Sequence, residues 1–168
     1  MNPLMYEASV TVFERSLKAL DAILDKAATH AASKGFDVAV LLGARLAPDM
    51  FTLTRQVQIA CDTAKGAAAR LAGVEVPKHE DTEVTLPELK ARIAKTLAFV
   101  AGIPATAFAG SDDRQVMLTV RKQSVQMRGA DYLFARALPN LFFHITTAYA
   151  ILRHNGVEIG KADYLGTQ

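Results

Sequence analysis

The polar side chains best placed to do chemistry lie in one otherwise apolar segment, Ala137 to Gly156. Asn140, His144 and Thr147 fall at i, i+4 and i+7, so a helix sets them on one stripe. Leu138, Leu141, Ile145, Ala148 and Leu152 form the adjoining apolar stripe, which faces a core. Neutral imidazole, amide and hydroxyl groups both donate and accept, so this set, with Tyr149 beside it, suits a small polar ligand. Several roles are open to His144: metal ligand, general base, ligand anchor, or a buried histidine satisfied by a backbone carbonyl or by Asn140. Asn140 follows Pro139 and has a structural alternative, tying off the carbonyl that the proline frees. Tyr149, Phe142 and Phe143 have one too, since aromatic residues at helical spacing usually pack in a core. Gln56 joins the candidates from an earlier helix, where it flanks Val57 on the seam side and can face His144 across a bundle.

Other reactive residue types carry less. His30 lies near a helix end, His79 in a polar loop and His154 in a last helical turn that suits a cation. The chain has no His-x-x-x-His pair and no Cys-x-x-Cys, its glycines are single helix stops, and no serine sits in a nucleophile elbow. Cys61 lies among Ala60, Ala64 and Ala68, the setting of a small buried hydrophobe rather than a reactive thiol. Arg55, Gln58 and Asp62 read as a solvated face, with an Arg55/Asp62 or Gln58/Asp62 pairing.

The elements that must position these groups are helices. Tyr6, Val10, Phe13, Leu17, Leu20, Leu24 and Ala27 recur at spacings of four and three, and Lys34-Gly35 ends that run. Asn2-Pro3 opens it, with Asn2 as N-cap. After a short helical connector over 36–45, closed by Pro48, Leu53, Val57, Ala60, Ala64, Ala67 and Leu71 repeat the pattern up to Gly73. That alanine-rich seam lets a neighbouring helix approach closely. Val74 to Val84 is a polar crossover, long for a helical hairpin, so the helices it joins need not be simple antiparallel neighbours. Thr85 and Glu88 then form a capping box for Leu86, Leu89, Ile93, Leu97 and Val100. Val116, Leu118 and Val120 alternate with polar positions and Val125 follows in kind, which predicts a small hairpin turning at Lys122-Gln123. Asp131 is the expected N-cap of the last helix. Pro139 is expected to kink it and leave the Ala135 carbonyl without its usual partner. The spacing thus predicts one all-α domain over 1–168, with long helices near 3–34, 49–72, 86–102 and 131–155 and a hairpin near 115–128.

The 168 residues are 51% hydrophobic and carry a net charge of +2 with mixed signs, which gives no footprint for nucleic acid. No apolar run reaches the length of a membrane span, and Glu7, Glu14 and Arg15 interrupt any signal peptide, so a cytoplasmic location is expected.

The helix order, the long crossover and the ending His144…Leu152-Arg153-His154-Asn-Gly156 resemble the DinB-like superfamily of bacterial four-helix bundles. Arg45-Leu-Ala-Pro-Asp49-Met50, Arg55-Gln56-Val-Gln58-Ile-Ala-Cys-Asp62, Ala137-Leu-Pro-Asn140, the run from His144 to Gly156 and Gly160-Lys161 resemble one uncharacterised bacterial family within it, a domain of unknown function. Metal-binding members of the superfamily carry a histidine on the second helix and a His-x-x-x-His pair on the last, with the second of the pair nine residues before the arginine of a Leu-Arg pair. His144 stands nine residues before Arg153 and matches that histidine. The first of the pair falls on Asn140, and the second helix holds no histidine; Asp49, Gln56, Gln58, Asp62 and Thr63 are polar residues there. The resemblance therefore implies a degenerate metal site, with His144 the one residue left of it, and no cofactor.

Two functions of different class follow. One is a binding or interaction bundle that holds a small polar ligand at His144, Asn140, Gln56, Thr147 and Tyr149, or pairs as a homodimer. The other is a small metal- or thiol-dependent transferase or hydrolase-like enzyme using His144. A homodimer is expected from Val12, Ile23, Tyr149 and Ile151, read as an apolar strip outside the strict seams.

Overall fold

The first long helix, α1, runs over 4–34 as Leu4–Tyr6, a π-helical turn at Glu7–Thr11 and Val12–Lys34. The structure, a computed structural model, describes residues 3–120 and 123–166, so the cap expected at Asn2 and the hairpin residue Lys122 lie outside it. A short helix α2 (Ala39–Gly43) leads to α3 (Leu53–Ala72) and, past the crossover, α4 (Leu86–Ala101). Strands β1 (Gln115–Val120) and β2 (Gln123–Arg128) pair antiparallel, with Gln115 opposite Arg128, and lead into α5 over 129–154. A last short helix, α6, spans Lys161–Leu165. The architecture is a four-helix bundle with a small hairpin before the last long helix.

The local signals account for most of these boundaries. Gly35 and Gly73 both adopt left-handed φ, and the residue after each bonds back to the carbonyl of Ala31 or Ala69, the double bonding that closes a helix on a glycine. Glu88 Oε2 accepts from the Thr85 amide at 2.8 Å while Thr85 Oγ1 accepts from the Glu88 amide at 3.4 Å, completing the capping box. Two starts differ from expectation. α3 begins at Leu53, capped by the Thr52 hydroxyl rather than near Asp49. α5 begins at Gly129, which leaves Asp131 in the first turn, favourable to the helix dipole but not a cap.

Pro139 acts in a form the sequence did not specify. The turn before it, Leu133–Ala137, is π-helical, and the Leu138 amide bonds the Leu133 carbonyl five residues back. The proline then enters at the start of a fresh α-helical stretch, Leu138–His154, where a missing N–H matters least.

α3 is the middle of the molecule. Its expected seam is fully buried, and so are Gln56, Gln58, Cys61, Lys65 and Gly66 on its other faces. It packs against both α4 and α5, while α1 packs against α4, α5 and α6. The crossover folds over the joint face of α3 and α4, so the face expected to be solvated is covered. The apolar strip offered as a dimer surface is not one: Ile23 and Ile151 are buried, and Val12 and Tyr149 are half-buried. The chain after α5 turns back along α1 and α5, with Tyr149 edge-on to Tyr164, Arg15 Nε donating to the Leu165 carbonyl at 2.8 Å and Lys26 2.5 Å from Asp163.

Candidate functional site

Three polar pairs bridge α3 and α5. Gln56 Oε1 meets His144 Nδ1 at 2.6 Å, Asn140 Nδ2 donates to Thr63 Oγ1 at 2.7 Å, and Arg70 Nη1 donates to Tyr132 Oη at 3.4 Å. Gln56, Thr63 and Arg70 are spaced seven apart, the period at which one face of a helix keeps meeting the same neighbour. Their partners descend in number as these ascend, so the two helices run antiparallel. The π-helical turn supplies the one extra residue by which Tyr132 to Asn140 exceeds that period.

The first pair is the most enclosed. His144 is 8% exposed and Gln56 1%. Gln56 Nε2 donates to the Phe51 carbonyl at 3.2 Å, which fixes the amide so that Oε1 accepts and His144 Nδ1 carries the proton. Burial, and secondarily the charge of Arg55, lowers the pKa of His144, so the ring is neutral at pH 7. Nε2 then presents a lone pair and has no partner among the described residues. The Phe143 ring stands edge-to-face on the imidazole at 5.2 Å.

Of the residues picked out by sequence, only Gln56 and His144 converge. Asn140 is exposed and turned to Thr63, and it neither meets His144 nor ties off a backbone carbonyl. The Thr147 hydroxyl donates to the Phe143 carbonyl at 2.7 Å, and Tyr149 Oη to the Ile159 carbonyl at 3.4 Å, a contact that helps dock the tail.

A second cluster escaped the sequence reading altogether. Arg92 of α4, its side chain 1% exposed, donates through Nη1 to both oxygens of Glu83 at 3.0 and 3.1 Å and to the Glu80 carbonyl at 2.9 Å. Its Nη2 lies 2.9 Å from Asp62 and from Asp81, off the N–H direction, so these contacts are Coulombic rather than aligned hydrogen bonds. Lys65 lies 2.9 Å from Asp62, Gln58 Nε2 donates to Glu83 at 2.9 Å, and Arg55 bonds both Gln58 and Asp81. Neither pairing expected on this face, Arg55/Asp62 or Gln58/Asp62, forms; crossover carboxylates replace them. The signal for Arg92 was in the sequence, because it sits beside Ile93 and three residues after Leu89, on the apolar face. Cys61, at the edge of this cluster, is fully buried, and burial pushes its thiol up to about 12, so it is no nucleophile.

A transition metal does not fit the residues around His144. Nδ1 is committed to Gln56, whose amide is bonded at both atoms, and Asn140 faces away. Amides are weak donors for zinc or nickel in any case. Among the described residues no group of three or more His, Cys, Asp or Glu is placed to hold an ion. Nor is any of their helices long and apolar enough to cross a membrane.

The bundle with its hairpin and polar α3–α5 seam is that of a DinB-like protein: it is similar to a crystal structure of a DinB family member from Shewanella denitrificans, with a TM-score of 0.93 and 50% identity over 98% of this chain and 93% of that one. Residues 5–165 match the family described as "Domain of unknown function (DUF1993)", and the chain belongs to that family. A comparison with curated proteins finds no match.

Proposed function

We propose that this DUF1993 protein is a small-molecule-binding bundle in which His144 anchors a polar ligand without a metal. The observation that supports it is the neutral imidazole: Gln56 fixes its Nδ1 proton inward, and Nε2 is left as an acceptor with no partner among the described residues. A hydroxyl, amide or ammonium group on a ligand satisfies that atom. The metal-bearing superfamily pattern is reduced here to one histidine, and Cys61, buried and protonated, supplies no activated nucleophile. The homodimer loses its motivating strip and is not part of this reading.

The test is thermal-shift screening against small alcohols, amides and amines. A saturable shift in the wild type that His144→Ala removes supports the proposal. Shifts retained in His144→Ala refute the anchor. Elemental analysis finding one metal per chain, eliminated by the same substitution, moves the function to a metal-dependent enzyme.

A further inference from the structure

Beyond Asn140 the α3–α5 seam opens into a cleft of about 580 Å³, within the range of small-molecule sites. Arg70, Arg136 and Tyr132 supply its polar wall, while Leu118, Pro139 and Phe143 supply apolar surface. Neither guanidinium has a carboxylate partner among the described residues. Asp62 also borders the cleft, but it is committed to Lys65 and Arg92 at 2.9 Å each.

Arg70 is held in place. Its Nη1 donates to Tyr132 Oη and lies across Gly66, where an added Cβ would come within 2.5 Å of that nitrogen. Glycine in a helix interior disfavours the helix, yet α3 keeps one at this buried position. The space it leaves is filled by the guanidinium. Tyr132 accepts the bond from Arg70, so its own proton is free to donate; burial raises its pKa and keeps that proton in place.

We infer that this cleft is a binding site for a small organic anion, a carboxylate or phosphate monoester with a compact apolar body. Two cationic forks and a phenol O–H match an oxyanion head, with a geometry that lysine would not provide. The apolar wall of Leu118, Pro139 and Phe143 accepts the body. The site lies along the seam from His144 and does not depend on it.

Isothermal titration with phenyl phosphate and with benzoate tests this, with inorganic phosphate as the head group lacking a body. One-to-one saturable binding of either organic anion, tighter than inorganic phosphate, is expected, and the preferred probe identifies the head group. Arg70→Gln and Arg136→Gln should each weaken it about ten- to a hundredfold, the usual loss for a hydrogen bond to a charged group. Gly66→Ala is the decisive variant: it keeps both arginines and favours the helix, yet displaces the Arg70 guanidinium, so affinity should fall while the melting temperature holds or rises. His144→Asn should leave anion binding unchanged. Absence of saturable binding, wild-type affinity in Arg70→Gln and Gly66→Ala, or loss in His144→Asn alone overturns the inference; the last of these leaves the His144 reading standing.

Discussion

Replacing Arg92 by methionine removes the one buried cation that the crossover carboxylates share, while keeping a side chain of similar length. Breaking a buried ion pair costs about 3–5 kcal/mol, because the remaining charge is stranded. Here the stranding is partial. Glu83 is only 13% exposed but keeps Gln58; Asp62 and Asp81 are 36% and 39% exposed and keep Lys65 and Arg55. Solvent screening of those two lowers the expected loss for Arg92→Met to about 2–4 kcal/mol. That is a large share of a typical domain's stability of about 5–15 kcal/mol. Urea unfolding at pH 7 measures it, and limited proteolysis should find 74–84 opened in the variant. The pH dependence carries a sign. For both Asp81 and Glu83, burial alone raises the pKa, but it is outweighed: at Asp81 by the hydrogen bond and charge of Arg55 with help from Arg92, at Glu83 by hydrogen bonds from Gln58, the backbone and Arg92. Both carboxyls therefore end below their ordinary values. Groups depressed in the folded state stabilise above their unfolded pKa, about 4, and that stability is lost as pH falls through the folded values. The gap between wild type and Arg92→Met should thus be widest near neutrality and shrink on acidification below about pH 4. A loss under about 0.5 kcal/mol, the level of a surface substitution, refutes the view that Arg92 pins the crossover.

Three further outcomes are expected. His144 has a lowered pKa in the folded chain, so wild-type stability should decline as pH falls below about 6.5; His144→Asn, which can still donate to Gln56, should flatten that decline in thermal unfolding between about pH 6.5 and 5. Cys61 should resist a thiol-specific disulfide reagent at pH 8 in the native protein and react fully in denaturant; rapid native labelling would contradict its burial. Thr85→Ala removes the N-cap acceptor of α4 and should cost about 1 kcal/mol in urea unfolding, with m unchanged.

What the sequence made legible was whatever local spacing dictates. Gly35, Gly73 and the Thr85–Glu88 box act within one helical turn, and the alternation of Val116 and Leu118 reports a strand pair that bonds only to itself. Gln56 facing His144 was readable because both flank apolar seams. Asn140 misled because position on a stripe does not fix direction: one turn from His144, it reaches Thr63 on the neighbouring helix instead. The Arg92 cluster and the half-burial of Tyr149 depend on the crossover and the tail folding back, and no periodicity within α4 or α5 announces what a distant loop will cover. Arg70 and Gly66 likewise make sense only together.

The π-helical turn at Leu133–Ala137 amounts to a phase setting between two halves of α5. Removing one residue there, such as Ala135, would restore an uninterrupted α-helix without turning one half against the other, because the wide turn is what absorbs the extra residue. His144 and Asn140 would keep their partners on α3. Tyr132 would then stand seven residues from Asn140 and stay on the seam with Arg70, whereas a deletion elsewhere between them would turn it off by about 100°. The turn is therefore the place where α5 can change its length by one residue with both halves of this surface still aimed at α3.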